Sequence, residues 1–119
     1  SLIVIYQDGG IRYYDTSSGR IQWNEANLEQ SGLTVPFESP TAVKLIGRGL
    51  NASIFVADPP TGRIVQISRG GIVLAQYRAS DSSGTRVGER FIGLTDFAVA
   101  EAPLRIFVTS GNALFVATQ

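Results

Sequence analysis

Asp58 and Arg63 stand on either side of the turn "PPTG" in "VADPPTGRIV". A carboxylate and a guanidinium so placed could hold a polar ligand at the edge of a sheet by charge-assisted hydrogen bonds. The same residues also have ordinary roles in a turn. Asp58 can accept backbone N–H bonds where a strand ends, and Arg63 can be a solvated residue where the next strand begins. On the turn reading, Asp58→Ala acts on stability rather than binding, at about 1–2 kcal/mol for backbone donors left without a partner. Asp8, Asp15, Asp58 and Asp96 could gather oxygens around a hard cation. No local spacing resembles a calcium loop, so they read as turn formers and no metal is expected. Tyr6, Tyr13, Tyr14, Trp23 and Tyr77 could stack against a sugar or a peptide, or pack inside. Consecutive Tyr13 and Tyr14 must face opposite sides of a strand, one to the core and one to the surface. The candidate ligand or partner surface is therefore Asp58, Arg63, Tyr14 and Trp23.

The composition removes much of the remaining chemistry. There is no His and no Cys, which excludes imidazole and thiolate metal sites, disulfides and the usual nucleophile–histidine triads. No carboxylate pair has a recognisable catalytic setting, so neither catalytic nor cofactor-binding residues are assigned and no enzyme is expected. Ten basic and ten acidic side chains cancel without forming blocks, which argues against nucleic acid as a partner. No apolar run is long enough to span a membrane, and "SLIVIYQDGG" has no basic stretch ahead of its apolar residues, so neither membrane insertion nor a signal peptide is expected. "NAS" at 51–53 is a glycan-acceptor pattern of low specificity, and "GRGLN" and "SSGTRVG" do not join a strand to a helix start as a phosphate loop would. The compartment stays open. The chain enters a strand directly after Ser1, from which the expectation is a piece of a longer protein.

The elements that must position these residues are strands. Short runs rich in Ile, Val, Phe and Tyr, bounded by Gly, Pro, Asp, Asn and Ser, predict strands over 2–6, 11–15, 20–24, 42–47, 53–58, 63–68, 72–78, 94–101, 105–110 and 113–119. The hairpin-sized connections "QDGG", "PPTG", "RGG" and "SGN" predict antiparallel neighbours, with Gly9 and Gly10 supplying positive φ in the first. Residues 25–40 and 79–90 read as longer loops, the first with room for one helical turn at "NEANLEQ".

The pattern repeats. "LIVIYQDGGIRYYD", "SIFVADPPTGRIVQIS" and "RIFVTSGNALFVATQ" each give a strand, a turn and a strand, with Ile3, Ile54 and Ile106 aligned at steps of fifty-one and fifty-two residues. Regular steps with four strands per period point to propeller blades or a similar sheet array. Residues 41–78, "SIFVADPPTGRIVQIS" followed by "RGGIVLAQY" above all, resemble the NHL-type β-propeller blade. The first and third copies lack the Val-Ala-Asp and Gly-Arg pairs. The resemblance implies four-stranded antiparallel blades packed face to face around an axis, used as binding platforms.

The expected fold is thus all-β, a single domain over 1–119 with blade-like units at 1–24, 41–78 and 91–119. It holds about two and a half blades, as a partial propeller or one completed by oligomerisation, since propellers normally need about four to eight. The expected function is a non-catalytic binding or scaffolding module, the C-terminal part of a larger propeller, whose partners are further blades, a second copy, or a protein or peptide. The alternatives are a fragment of a lactonase-like or glycan-cleaving propeller hydrolase and a self-assembling sheet protein.

Overall fold

The computed structural model describes residues 2–6, 8–78, 94–101, 103–110 and 113–118, so the expected loop at 79–90 lies outside the described residues. Among the described residues the chain runs β1 (Leu2–Ile5), β2 (Ile11–Tyr14), β3 (Ile21–Asn24), α1 (Glu25–Gln30), β4 (Ala42–Ile46), β5 (Ser53–Asp58), β6 (Arg63–Ser68), β7 (Val73–Arg78), β8 (Leu94–Ala100), β9 (Arg105–Ser110) and β10 (Ala113–Thr118). These strands form three antiparallel sheets of sequence neighbours, β1-β2-β3, β4-β5-β6-β7 and β8-β9-β10. The all-β expectation holds, and none of the sheets closes on itself among the described residues. Of the two glycines expected to supply positive φ in "QDGG", only Gly9 does so, at 94°.

Burial along β5 explains how the sheets meet. Every residue from Ile54 to Asp58 is buried. Side chains in a strand alternate between faces, so unbroken burial requires cover on both sides. Ile54 and Val56, with Val65 and Ile67 of β6, pack with Ile11, Tyr13 and Trp23 of the first sheet. Phe55, Ala57 and Ile64 point the other way and pack with Phe97, Ile106 and Val108 of the third. The middle sheet therefore lies between the other two, with each fully buried aliphatic or aromatic side chain contributing about 1.5–3 kcal/mol. Of the strands in the middle and third sheets, β4 and β5 make the main approach to β8.

This packing corrects the alignment read from the sequence. Ile3 and Ile5 pack toward the middle sheet, as Phe55 and Ala57 pack toward the third. Ile3 is therefore the counterpart of Phe55 rather than of Ile54, and Phe107 is the third member. With that change the step is fifty-two residues in both intervals. Ile3, Ile54 and Ile106 are alike in type, and only their faces separate the two registers, because a one-residue slip sends a whole strand's side chains to the other side.

The 25–40 segment is also more than a connecting loop. Asn24 caps α1 by accepting from the N–H groups of Ala26 and Asn27, and the Asn27 side chain accepts from the Asn24 N–H at 2.9 Å. This fixes the entry of the helix and directs Leu28 inward. Leu28, Leu33 and Phe37 then join the core between the first two sheets. On the same side, Gly71 has φ 86°, and a Cβ there would sit 2.7 Å from the Trp23 ring. Gly71→Ala is expected to cost about 2–4 kcal/mol, combining left-handed strain with overpacking. Urea unfolding checks this, and an unchanged midpoint would mean that the turn does not lie against Trp23.

Candidate functional site

β5 ends on Asp58 and β6 begins on Arg63, and the two residues are direct cross-strand partners. Pro59–Thr61 forms a single 3-10 turn between them, closed by Gly62 in the left-handed conformation at φ 66°. Proline presets the entry and glycine permits the exit, as the sequence suggests. The burial of the pair departs from an open ligand site and from a solvated Arg63. Asp58 and Arg63 are each 0% exposed, so in this chain they offer no surface to a ligand, and Arg63 is not a solvated residue. The physical reason is the 35–39 segment, which crosses over the turn and is held by the pair itself.

The Asp58 carboxylate accepts hydrogen bonds from the N–H of Ser39 at 2.8 Å, the N–H of Glu38 at 3.0 Å and the hydroxyl of Thr61 at 2.8 Å. Its expected role as an acceptor of backbone N–H groups is present, but the donors lie about a score of residues upstream rather than in its own turn. Arg63 donates through Nε to the Thr61 hydroxyl at 2.9 Å and through one terminal nitrogen to the Gln76 side chain at 2.8 Å. The other terminal nitrogen donates to the carbonyls of Val35 and Pro36 at 2.6 and 2.9 Å. The guanidinium also lies 5.3 Å from the centre of the Phe37 ring. The nearest charged atoms of the pair are 3.6 Å apart, beyond good hydrogen-bonding distance, so charge attraction and the shared Thr61 hydroxyl connect them.

Burial pushes the Arg63 guanidinium below its ordinary value, while the Asp58 carboxylate pushes it back up and nearby Arg78 adds to the lowering. No buried side-chain nitrogen or oxygen among the described residues lacks a hydrogen-bond partner. The cluster is thus closed, and its chemistry is that of a clamp: two charges spend their bonding capacity fastening the 35–39 segment to the β5–β6 turn. Thr61, Gln76 and the carbonyls of Val35 and Pro36 were not recognisable as members. Thr61 alone carried a signal, through its place in the same turn.

Trp23 is also internal. It is 3% exposed, stacks on Tyr13 with centroids 5.3 Å apart and planes at 3°, and donates its indole N–H to the Arg69 carbonyl at 2.9 Å. Tyr14 is the one candidate that reaches solvent, half-buried on the opposite side of β2 from buried Tyr13. Beside it, Arg12 lies 5.1 Å from the centre of the Tyr6 ring and donates weakly to the Tyr14 hydroxyl at 3.5 Å. That guanidinium lowers the Tyr14 phenol below its usual value. A single arginine in a strand has no distinctive sequence pattern, so only the structure places Arg12 beside Tyr6 and Tyr14.

The four aspartates considered together for a cation act separately. Asp8 accepts from the Gly10 N–H, Asp15 accepts from Ser17 and Ser18, and Asp96 bridges to Lys44 at 3.3 Å. The serine hydrogen bonds hold the Asp15 carboxyl below the usual range, and the Phe97 N–H and then Lys44 do the same for Asp96. Among the described residues no three His, Cys, Asp or Glu side chains are grouped to hold a metal, and no helix is long and apolar enough to cross a membrane. A cleft of about 160 Å³ beside the β1–β2 turn carries Asp8, Glu25 and Glu29 on its walls, and Glu25 there accepts the Ile11 N–H at 3.2 Å. Comparison of the chain with protein families, curated proteins and solved structures finds no match.

Proposed function

We propose that this chain is a non-catalytic binding or scaffolding module built from β-propeller-type blades of the NHL kind, which engages partners through loops at one end of its sheets. The observation that carries the reading is the step of fifty-two residues from β1 to β5 and from β5 to β9, in three antiparallel sheets that stack face to face in chain order. A blade packs on two neighbours in the same way. The approach of β8 to β4 and β5 supports an arrangement in which early strands of successive blades lie nearest the axis.

A hydrolase would need acidic or nucleophilic groups open to substrate near such inner strands. Among the described residues the Asp58–Arg63 pair is buried and engaged by the backbone of the 35–39 segment and by Thr61 and Gln76, and the exposed Asp96 of β8 is bridged to Lys44 of β4 at 3.3 Å. No turnover is expected on a panel of esters, glycosides and phosphoesters. Turnover that disappears on substituting Asp8, Glu25 or Asp96 would overturn the non-catalytic reading.

A further inference from the structure

The outer face of the third sheet repeats, row by row, a face that is covered inside the molecule. Ala98, Phe107 and Val116 lie directly opposite one another across β8, β9 and β10, as Lys44, Phe55 and Gln66 do across β4, β5 and β6. Leu114 opposes Thr109 as Ile64 opposes Ala57. In the middle sheet this face is closed by Ile106 and Val108 of the third sheet. On the third sheet the same face leaves Leu114 65% and Val116 53% exposed.

The covering half of that interface also has a counterpart. Ile106 and Val108 correspond, through Ile54 and Val56, to Leu2 and Val4, each one step of fifty-two residues earlier. Leu2 and Val4 alternate with Ile3 and Ile5, which pack inward, and so point away from the middle sheet. Leu2 is 52% exposed, and Ile21, opposite Tyr14 on the same face, is 47% exposed. Arg12, which stands where the middle sheet has Val65, folds over the Tyr6 ring. The chain thus carries, at opposite ends of its stack, both halves of an interface that it already forms internally.

We propose that a second copy of this chain sets the outer face of its first sheet, through Leu2 and Val4, on the outer face of the third sheet here, around Phe107, Leu114 and Val116. The contact is head-to-tail, so each copy retains one face of each kind. Two copies can satisfy both by a two-fold axis that turns the pair of stacks into a ring of about six sheets, within the usual range for propellers. The contact rests on the repeat, and only the ring closure rests on the blade reading above.

The test uses the absence of cysteine from the chain. Leu2→Cys and Leu114→Cys are made in separate chains, both at exposed positions, and treated with a thiol cross-linker that spans packed sheets, about 10 Å. A cross-link only when the two chains are mixed, with a native particle of twice the chain mass by light scattering, is the expected result. Cross-linking of the Leu114→Cys chain to itself, or a monomer with no cross-link in the mixture, would overturn the contact. A two-chain cross-link formed only in the mixture, with native particles by light scattering that grow beyond twice the chain mass, would uphold the contact and overturn the ring, and with it the blade geometry.

Discussion

Asp58→Ala is expected to lower the unfolding free energy by about 3–5 kcal/mol, the range for removing one partner of a buried ion pair. This exceeds the 1–2 kcal/mol read from the sequence, where only lost backbone hydrogen bonds were at stake. The difference is Arg63. With the carboxylate gone, a guanidinium that is 0% exposed keeps its charge without a counter-charge, and the N–H groups of Glu38 and Ser39 lose their acceptor in the same step. A domain of this size has a total stability of about 5–15 kcal/mol, so the loss is a large part of it. Asp58→Asn removes the charge but keeps an oxygen for one of the two N–H groups, and should fall between wild type and alanine. Urea denaturation measures both. An unchanged midpoint for either variant would return Asp58 to the surface and restore the ligand reading.

Trp23→Ala should cost about 3–5 kcal/mol, the usual penalty for emptying a large aromatic position in a core. Three contacts are lost together: the parallel stack on Tyr13, the hydrogen bond to the Arg69 carbonyl, and the close seat against Gly71 that fixes the β6–β7 turn. The expected fall in melting temperature is at least about 10 °C. Tyr14→Ala should have a much smaller effect, since Tyr14 is only half-buried and its contact with Arg12 is weak. If instead the two variants melted alike and near wild type, Trp23 would belong to an open aromatic surface.

The strands were legible because apolar runs and turn residues act locally. "PPTG" specifies its turn from within four residues, and β5 and β6 begin and end where the sequence places them. The faces were less legible. In "LIVIY" every residue is apolar or aromatic, so no alternation marks which side is inward, and the register of the repeat slipped by one. The candidate site was misplaced for a different reason. An aspartate and an arginine at a turn normally face water, and what buries them is a segment ending at Ser39, joined through hydrogen bonds to carbonyls and N–H groups that every sequence possesses. Nothing in the types of Val35, Pro36, Glu38 or Ser39 announces that their backbones will satisfy a charged pair. Tyr13 and Tyr14 illustrate what pattern alone can reach: their adjacency required one inside and one outside, and Tyr13 proved to be the inner one.

The claim on which the rest depends is that the middle sheet is covered on its two faces by different sheets. Methyl and aromatic nuclear Overhauser effects in the intact chain test it most directly. Ile54 and Val56 methyls should show contacts to the rings of Tyr13 and Trp23, and the Phe55 ring should show contacts to Phe97, Ile106 and Val108. Contacts from both Ile54 and Phe55 to the same neighbouring sheet, or from Phe55 to Tyr13 and Trp23, would contradict the stack, the fifty-two-residue step and the proposal that a second copy extends it.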